Sequence, residues 1–277
     1  MKNEIKNLLN LVKEQRAFDF TGYHLTMLER RIEKRVYATY NKNFDDYFEY
    51  LNSHPVEIDS LIDVLTINVS RFFRNSLSFE YISKIIIPRI ILKKIQTNDN
   101  CLRIWSAGCS FGEEPYSMSI IINEFLKKEK ISLNLNIFAT DIDKNALKTA
   151  STGKYGSESI KNVKYAIVDK YFTKKDDLFK ISPEIKKMVQ FSFFDLLDKN
   201  HFVPPESIFG DFDIVLCRNV LIYFNLEYQE LIFNKLYKSM NKDSYLILGE
   251  AEVLVEAFKN KFLRESRVVK IYRKKEE

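Results

Sequence analysis

Apolar residues recur three and four positions apart from the start of the chain to about Leu65. Ile5, Leu8, Leu9 and Val12 share one helical face, as do Leu25, Leu28, Ile32 and Val36. Phe44, Tyr47, Phe48 and Leu51 continue the pattern, and Ile58, Leu61, Ile62 and Leu65 extend it. No strand signal interrupts these runs, so the spacing predicts a small helical domain over residues 1–66. Phe79–Lys94 predicts a helix across the junction, bent or broken near Pro88.

From Cys101 the period changes. "CLRIWSA" predicts a strand, followed by a glycine turn and the apolar helix "EEPYSMSIIINEFLKK". "LNIFATDID" predicts a second strand ending in acids, and "KNALKTAST" the start of the next helix. "DFDIVLCRNV" reads as a buried strand, "LEYQELIFNKLYKSM" as an amphipathic helix, and "SYLILGE" and "VVKIYRK" as closing strands. Strands alternating with helices argue for an α/β domain over 67–277, its sheet parallel and doubly wound, with a site at the carboxyl ends of the strands. The short alternating runs of "KYFTKKDDLFKISPEIKKMVQFSFF" predict a small β insertion, about 163–192.

Composition narrows the class. Hydrophobic residues make up 45% and charged residues 29% of the 277, as in a soluble globular protein. A net charge of +5, from 43 basic against 38 acidic residues, is too balanced to imply nucleic acid. "MKNEIKNLLNLVKEQ" lacks the apolar stretch of a signal peptide. "YISKIIIPRIILKKI", broken by Lys84, Pro88 and Arg89, cannot span a bilayer, so no membrane insertion is expected. Cys101, Cys109 and Cys217 form no C-x-x-C pair, which fits a reducing, cytoplasmic setting. His24, His54 and His201 are scattered without ligand spacing, so no metal is expected.

The chemistry concentrates in "WSAGCSFGEEPYS". Gly108-Cys109-Ser110-Phe111-Gly112 fits the G-x-S-x-G of a nucleophile elbow. An elbow also needs a downstream histidine and a glycine-rich oxyanion segment; only His201 follows, and only Gly22 precedes. The same strand–turn–helix shape makes a cofactor loop, yet Glu113 and Glu114 hold the helix N-terminus where a pyrophosphate would sit. A ligand bearing a cation is favoured there instead. S-adenosylmethionine is such a ligand, with an ammonium, a sulfonium, a ribose diol and no phosphate. Asp141, ending the second strand, can accept from both ribose hydroxyls, each charge-assisted bond contributing roughly 1.5–3 kcal/mol. The alternative for Asp141 is a helix N-cap, a task Asp143 can take.

"NVSRFFRN", "WSAGCSFGEEPYSMSI", "FATDID", "FDIVLCRNVLIYF" and "YLILGEAE" occur in that order, and together they closely resemble the CheR family of chemotaxis receptor glutamate methyltransferases. The resemblance covers nearly the whole chain. It implies a small N-terminal helical domain plus a Rossmann-like class I S-adenosylmethionine-dependent methyltransferase domain with an inserted β-subdomain. It further implies methyl transfer to glutamates of methyl-accepting chemotaxis receptors, leaving S-adenosylhomocysteine. By the same resemblance, cofactor contacts fall on Asn68, Ser70, Arg74, Gly108, Glu114, Asp141, Asp195, Leu196, Arg218 and Asn219. Arg74 and Tyr223 are the expected catalytic pair, Arg74 holding one carboxylate oxygen while the other attacks and Tyr223 offering a hydroxyl. Ser70 stands where threonine is common and Asp195 where asparagine is, and the usual G-H-S-E reads Gly249-Glu250-Ala251-Glu252.

A basic cluster of Arg30, Arg31, Lys34 and Arg35 flanks an apolar helix face. Such a cluster is usually a solvated face; the resemblance implies that Arg31, Lys34 and Arg35 dock the acidic receptor bundle. Lys174-Lys175-Asp176-Asp177 is a short turn without glycine where some relatives carry a longer one that grips a receptor C-terminal peptide, which argues against such tethering here. A monomer that binds no nucleic acid is expected. Two other readings stand beside the receptor methyltransferase: a module that binds cofactor or partner without turnover, and a methyltransferase of another substrate.

Overall fold

The computed structural model describes residues 2–66 and 68–275. The chain divides into two compact units, one of Met1–Asn68 with Tyr223–Tyr228 and one of Val69–Ile222 with Gln229–Glu277. The expected boundary between 66 and 67 falls on Ile67, outside the described residues.

The first unit contains α1 (Lys2–Arg16), α2 (Leu25–Ala38), α3 (Phe44–Ser53) and α4 (Pro55–Thr66). Each turns its apolar stripe inward: Leu8 and Val12 of α1, Leu28 and Ile32 of α2, Tyr47 and Leu51 of α3, and Ile58 and Leu61 of α4 are all fully buried. Asn43 caps α3, its side chain accepting the Asp46 N–H at 2.8 Å. The later segment belongs to the same unit: Tyr23 and Phe224 form an antiparallel bridge with ring centroids 4.5 Å apart. The His24 N–H donates to the Tyr223 carbonyl at 2.9 Å, and the Asn225 N–H to Gly22 at 2.8 Å.

The second unit opens with α5 (Ser76–Tyr81), a π-helical turn (Ile82–Ile86) and α6 (Ile87–Gln96). The expected break near Pro88 is therefore a widened turn just before it. Pro88 has no N–H to give residue 84 and its ring crowds that carbonyl, and a π turn relieves both without ending the helix. Then come β1 (Cys101–Ala107), α7 (Glu113–Glu129), β2 (Asn134–Asp141), α8 (Lys144–Thr152), β3 (Lys154–Tyr155), α9 (Ser157–Ile160) and α10 (Tyr165–Tyr171). β4 (Phe172–Lys175), β5 (Leu178–Ile181), α11 (Pro183–Lys186), β6 (Val189–Phe193) and β7 (Phe212–Cys217) follow. α12 (Leu226–Ser239), β8 (Met240–Leu248), α13 (Glu256–Lys259), β9 (Phe262–Arg264) and β10 (Ile271–Lys274) complete the order.

Among the described residues, one sheet has seven strands in the order β6-β2-β1-β7-β8-β10-β9. The first five are parallel, with Ile104 of β1 beside Ile137 of β2 and Ile214 of β7. β10 and β9 are antiparallel, so the sheet is mixed rather than wholly parallel. The connection from β9 to β10 spans only residues 265–270, too short for the crossover that a parallel step needs. The inserted sheet also differs from expectation: it is β3-β5-β4, starting at Lys154, while Val189–Phe193 joins the main sheet beside β2. Trp105 is fully buried between Phe194 and Phe212, its Nε1–H donating to Thr140 Oγ1 at 2.9 Å.

Candidate functional site

β1 has β2 on one side and β7 on the other, and the strand order reverses there. In an open α/β sheet, ligands bind at the carboxyl edge of such a switch point. The chain motifs follow from it. The glycine loop leaves β1, Asp141 ends β2, Asp195-Leu196 follows β6, and Arg218-Asn219 follow β7.

The loop after β1 is held by its own backbone. The N–H groups of Gly108 and Cys109 both donate to the Thr140 carbonyl, at 2.8 and 2.9 Å. Gly108 sits at φ 74, and a Cβ there would lie 2.4 Å from a methyl of Val220, so the position admits only glycine. Asp141 accepts the Ser110 N–H at 2.7 Å on one oxygen and the Asp143 N–H at 2.9 Å on the other. Burial pushes its carboxyl above the usual range, against those two backbone bonds. Asp143 is the N-cap of α8, accepting from Asn145 and Ala146, which leaves Asp141 free of that task.

Ser110 contributes its N–H and little else. Its Oγ is buried and has no hydrogen-bond partner, so no base activates it. His201 is exposed and pairs with Asp198 at 2.6 Å. The elbow reading has no support in this geometry.

Arg218 ties the site together. Its guanidinium donates to Glu114 at 3.0 Å, to the Arg74 carbonyl at 2.8 Å and to Asn75 Oδ1 at 2.9 Å, and it lies over the Phe79 ring. The other Glu114 oxygen accepts from Ser106 Oγ at 2.8 Å. The segment bearing Ser70 and Arg74 is pinned by Phe72, fully buried edge-on to Tyr155 and Phe172, and by the Phe73 N–H on Ser117 Oγ at 3.0 Å. Arg74 itself donates to the Val69 carbonyl at 2.9 Å. Glu113 is buried; Ser159 donates to one oxygen at 3.1 Å and the other has no partner. Burial raises its carboxyl, with the hydroxyls of Ser159 and Ser70 pulling the other way. Glu113, Glu114 and Asp141 thus lie around the glycine turn, with Glu114 paired to Arg218. Among the described residues no group of His, Cys, Asp and Glu could hold a metal ion.

Asp195 folds back to accept the Leu197 N–H at 2.8 Å, and Leu196 beside it is buried. Lys235 of α12, also buried, donates to the carbonyls of Asp195 and Asp198, and its ammonium lies 4.8 Å from the Phe194 ring. Ser70, Arg74, Gly108, Glu114, Asp141, Asp195, Leu196, Arg218 and Asn219 all belong to the α/β unit. Asn68 and Tyr223 belong to the helical unit, where the Asn68 amide lies 3.5 Å from Thr66 Oγ1.

The basic cluster on α2 divides by its partners. Arg35, expected to dock a partner, forms a fork to Glu57 at 2.8 and 2.7 Å, with Tyr47 also donating to Glu57 at 2.9 Å. Its side chain is 23% and that of Glu57 10% exposed, so this ion pair ties α2 to α4 within the helical unit. Arg31 also turns inward, donating to the Val64 carbonyl at 2.6 Å, and burial lowers its pKa. Arg30 and Lys34 are exposed.

Sequence reasoning missed Asn75, Lys235 and the buried acid Glu252 as parts of the site's support. Periodicity carries no signal for such residues, because each works by a contact to a distant segment. No helix among the described residues is long and apolar enough to cross a membrane.

Comparison with known proteins agrees with the geometry. The CheR methyltransferase SAM binding domain matches residues 68–269, and the CheR methyltransferase all-alpha domain matches residues 3–66. A chemotaxis protein methyltransferase of Borreliella burgdorferi is 31% identical over 256 residues, 91% of this chain and 89% of that one. One from Listeria innocua is 32% identical over 245 residues, 88% of each chain. One from Salmonella typhimurium is 28% identical over 253 residues, 89% of this chain and 82% of that one. With an acid-lined glycine loop at the switch point of its sheet and both domains of one family matched along its length, the chain belongs to the CheR methyltransferase family.

Proposed function

We propose that this protein methylates glutamate side chains on the cytoplasmic helices of methyl-accepting chemotaxis receptors, forming glutamate methyl esters and S-adenosylhomocysteine. The observation that carries the reading is the match to both family domains, 3–66 and 68–269, in one chain. Asp141 is the acceptor for the ribose diol: its carboxylate keeps lone pairs beyond the two used by Ser110 and Asp143. Glu114 is the acceptor for the ammonium, Arg218 and Asn219 flank it, and Ser70, Gly108, Asp195 and Leu196 complete the contacts from this unit. The roles that the resemblance gives to Asn68 and Tyr223 belong to the same reading.

When bound, S-adenosylmethionine supplies a methyl group made electrophilic by its sulfonium. A glutamate, with a pKa of about 4.3, is already ionised at neutral pH and needs no general base. Arg74 therefore acts by orientation. Its planar fork fixes one carboxylate oxygen so that the other faces the methyl carbon in line. A tight grip also lowers the nucleophilicity of the carboxylate, so the gain must come from placement. No metal enters this scheme. On α2, Arg30 and Lys34 are the cations offered to an acidic receptor bundle. β4 and β5 are joined by Asp176 and Asp177 alone, a turn that favours no grip on a receptor tail.

The test uses S-adenosylmethionine labelled on the methyl group, the whole chain and receptor cytoplasmic fragments. Label that transfers to the receptor and is released as methanol by base marks a carboxyl ester. Base-stable label would mean another substrate atom, and cofactor binding without transfer would mean a module without turnover.

A further inference from the structure

Beyond β8, in Gly249-Glu250-Ala251-Glu252, lies a buried carboxylate to which the reading above gives no task. Glu252 is 3% exposed. One of its oxygens accepts the N–H groups of Gly249 at 2.6 Å and Asn219 at 2.9 Å; the other accepts those of Val220 and Leu221, both at 2.8 Å. Three of the four donors are consecutive residues of the turn that leaves β7. Successive N–H groups converging on one point form a nest for an anion, and this chain fills the nest with its own side chain.

The turn requires such a partner. Asn219 stands at φ 61, in the left-handed region that asparagine enters more readily than most residues but that still leaves its N–H to be paired. Its N–H and that of the buried Leu221 would otherwise lack an acceptor. Gly249 closes the other side: a Cβ there would sit 2.8 Å from the Asn219 nitrogen, 2.8 Å from Glu252 Oε2 and 2.9 Å from the Asn219 side-chain amide. The two ends of the four-residue stretch are thus built against Asn219, backbone and side chain together. Glu250 and Ala251 between them are exposed, so what fills the middle positions matters little to the turn.

We propose that Glu252 is a positioning residue for methyl transfer: it locks the turn Asn219–Leu221, and with it the side chains of Arg218 and Asn219, in the form that receives the cofactor. This rests on the reading that Asn219 contacts S-adenosylmethionine. Glu252→Gln keeps the shape but puts an amide N–H₂ where an acceptor must face donors. Glu252→Asp keeps the charge and shortens the reach.

The experiment measures S-adenosylhomocysteine affinity by calorimetry for the whole chain as wild type, Glu252→Gln, Asn219→Ala and the double variant, with amide exchange followed over 218–222. The Gln variant should bind roughly tenfold or more weakly, with faster exchange confined to that turn. The double variant should be no weaker than the weaker single one, because both act on one contact. A folded Glu252→Gln protein within about twofold of wild type, or losses that multiply independently, would overturn the proposal. If Asn219→Ala alone leaves affinity unchanged, the assignment of Asn219 as a cofactor contact falls; Glu252 is then judged through Arg218 by the affinity and exchange of the Gln variant. Should the Gln variant not fold, Glu252→Asp is read on the same scale, and wild-type affinity with wild-type exchange in it would sink the proposal.

Discussion

A carboxylate held by backbone N–H groups and cut off from water is pulled in two directions, and at Asp141 burial wins. Its ionised form is the one that accepts ribose hydroxyls, while its raised pKa means protonation begins above the ~3.9 of a free aspartate. S-adenosylhomocysteine binding should therefore weaken on acidification sooner than an ordinary carboxylate would allow. Calorimetry across pH checks this, and Asp141→Asn should flatten the dependence. Stability runs the other way: the folded state holds this proton more tightly than the unfolded one, so the contribution is full below the unfolded pKa and is lost as pH rises through the folded pKa. Asp141→Ala should cost roughly tenfold or more in affinity. Arg74→Lys should lower the single-turnover methylation rate by roughly tenfold to a thousandfold, because an ammonium cannot present a fork. Near wild-type transfer with saturating cofactor and receptor would remove Arg74 from that role. The place of Asp141 at the end of β2 beside the glycine turn was legible in the sequence, because an acid ending a strand is a local pattern. Glu252 was not, because its four partners lie at its own turn and some thirty residues earlier, and only folding brings them together.

Short turns carry the conformational cost of the site. Phe73, Asn75, Ser110 and Asn219 all have φ between 50 and 62, and each adjoins or belongs to a segment expected to touch the cofactor. Phe73 and Ser110 gave no warning of a left-handed backbone, which glycine and, more weakly, asparagine advertise. Regular elements were easier to read. "KNALKTAST" is α8 residue for residue, and "CLRIWSA" is β1. β9, three residues on a sheet edge, has too short a pattern to announce itself. On α2, the sequence located the cations but not their direction. Reversing Arg30 and Lys34 to Glu should weaken receptor binding and flatten its salt dependence, with S-adenosylhomocysteine affinity unchanged. Arg35→Glu should instead lower the melting temperature, since it leaves Glu57, still the acceptor for Tyr47, without its cation and beside a second carboxylate, a loss of about 1–3 kcal/mol. Binding of receptor by the Arg30/Lys34 variant at wild-type strength across salt would reduce that face to a solvated one.

At the scale of the molecule, a ligand that binds only the folded α/β unit must stabilise it by mass action. S-adenosylhomocysteine at a hundred times its Kd should add ~2.7 kcal/mol, a rise of roughly 5–10 °C in melting temperature for a domain of this size. An unmoved transition in scanning calorimetry would mean that the native state does not take the ligand. The division into a helical and an α/β part was legible because the apolar period changes near Cys101. The return of the chain to the helical unit at Tyr223–Tyr228 was not, for nothing local marks it. That return has a consequence during synthesis. A ribosome adding ~5–20 residues per second delivers Phe224 roughly ten to thirty seconds after Asn68. Through that interval the nascent helical unit lacks Phe224, whose ring packs on Tyr23 at the end of the Phe18–Phe20–Tyr23 row of ring contacts in the folded protein. Chains stalled before Tyr223 should be cut faster by protease within the first unit than chains stalled well past Tyr228, and equal rates would count against the idea. Translation order thus makes the first part of this protein to be made one of the last to be finished.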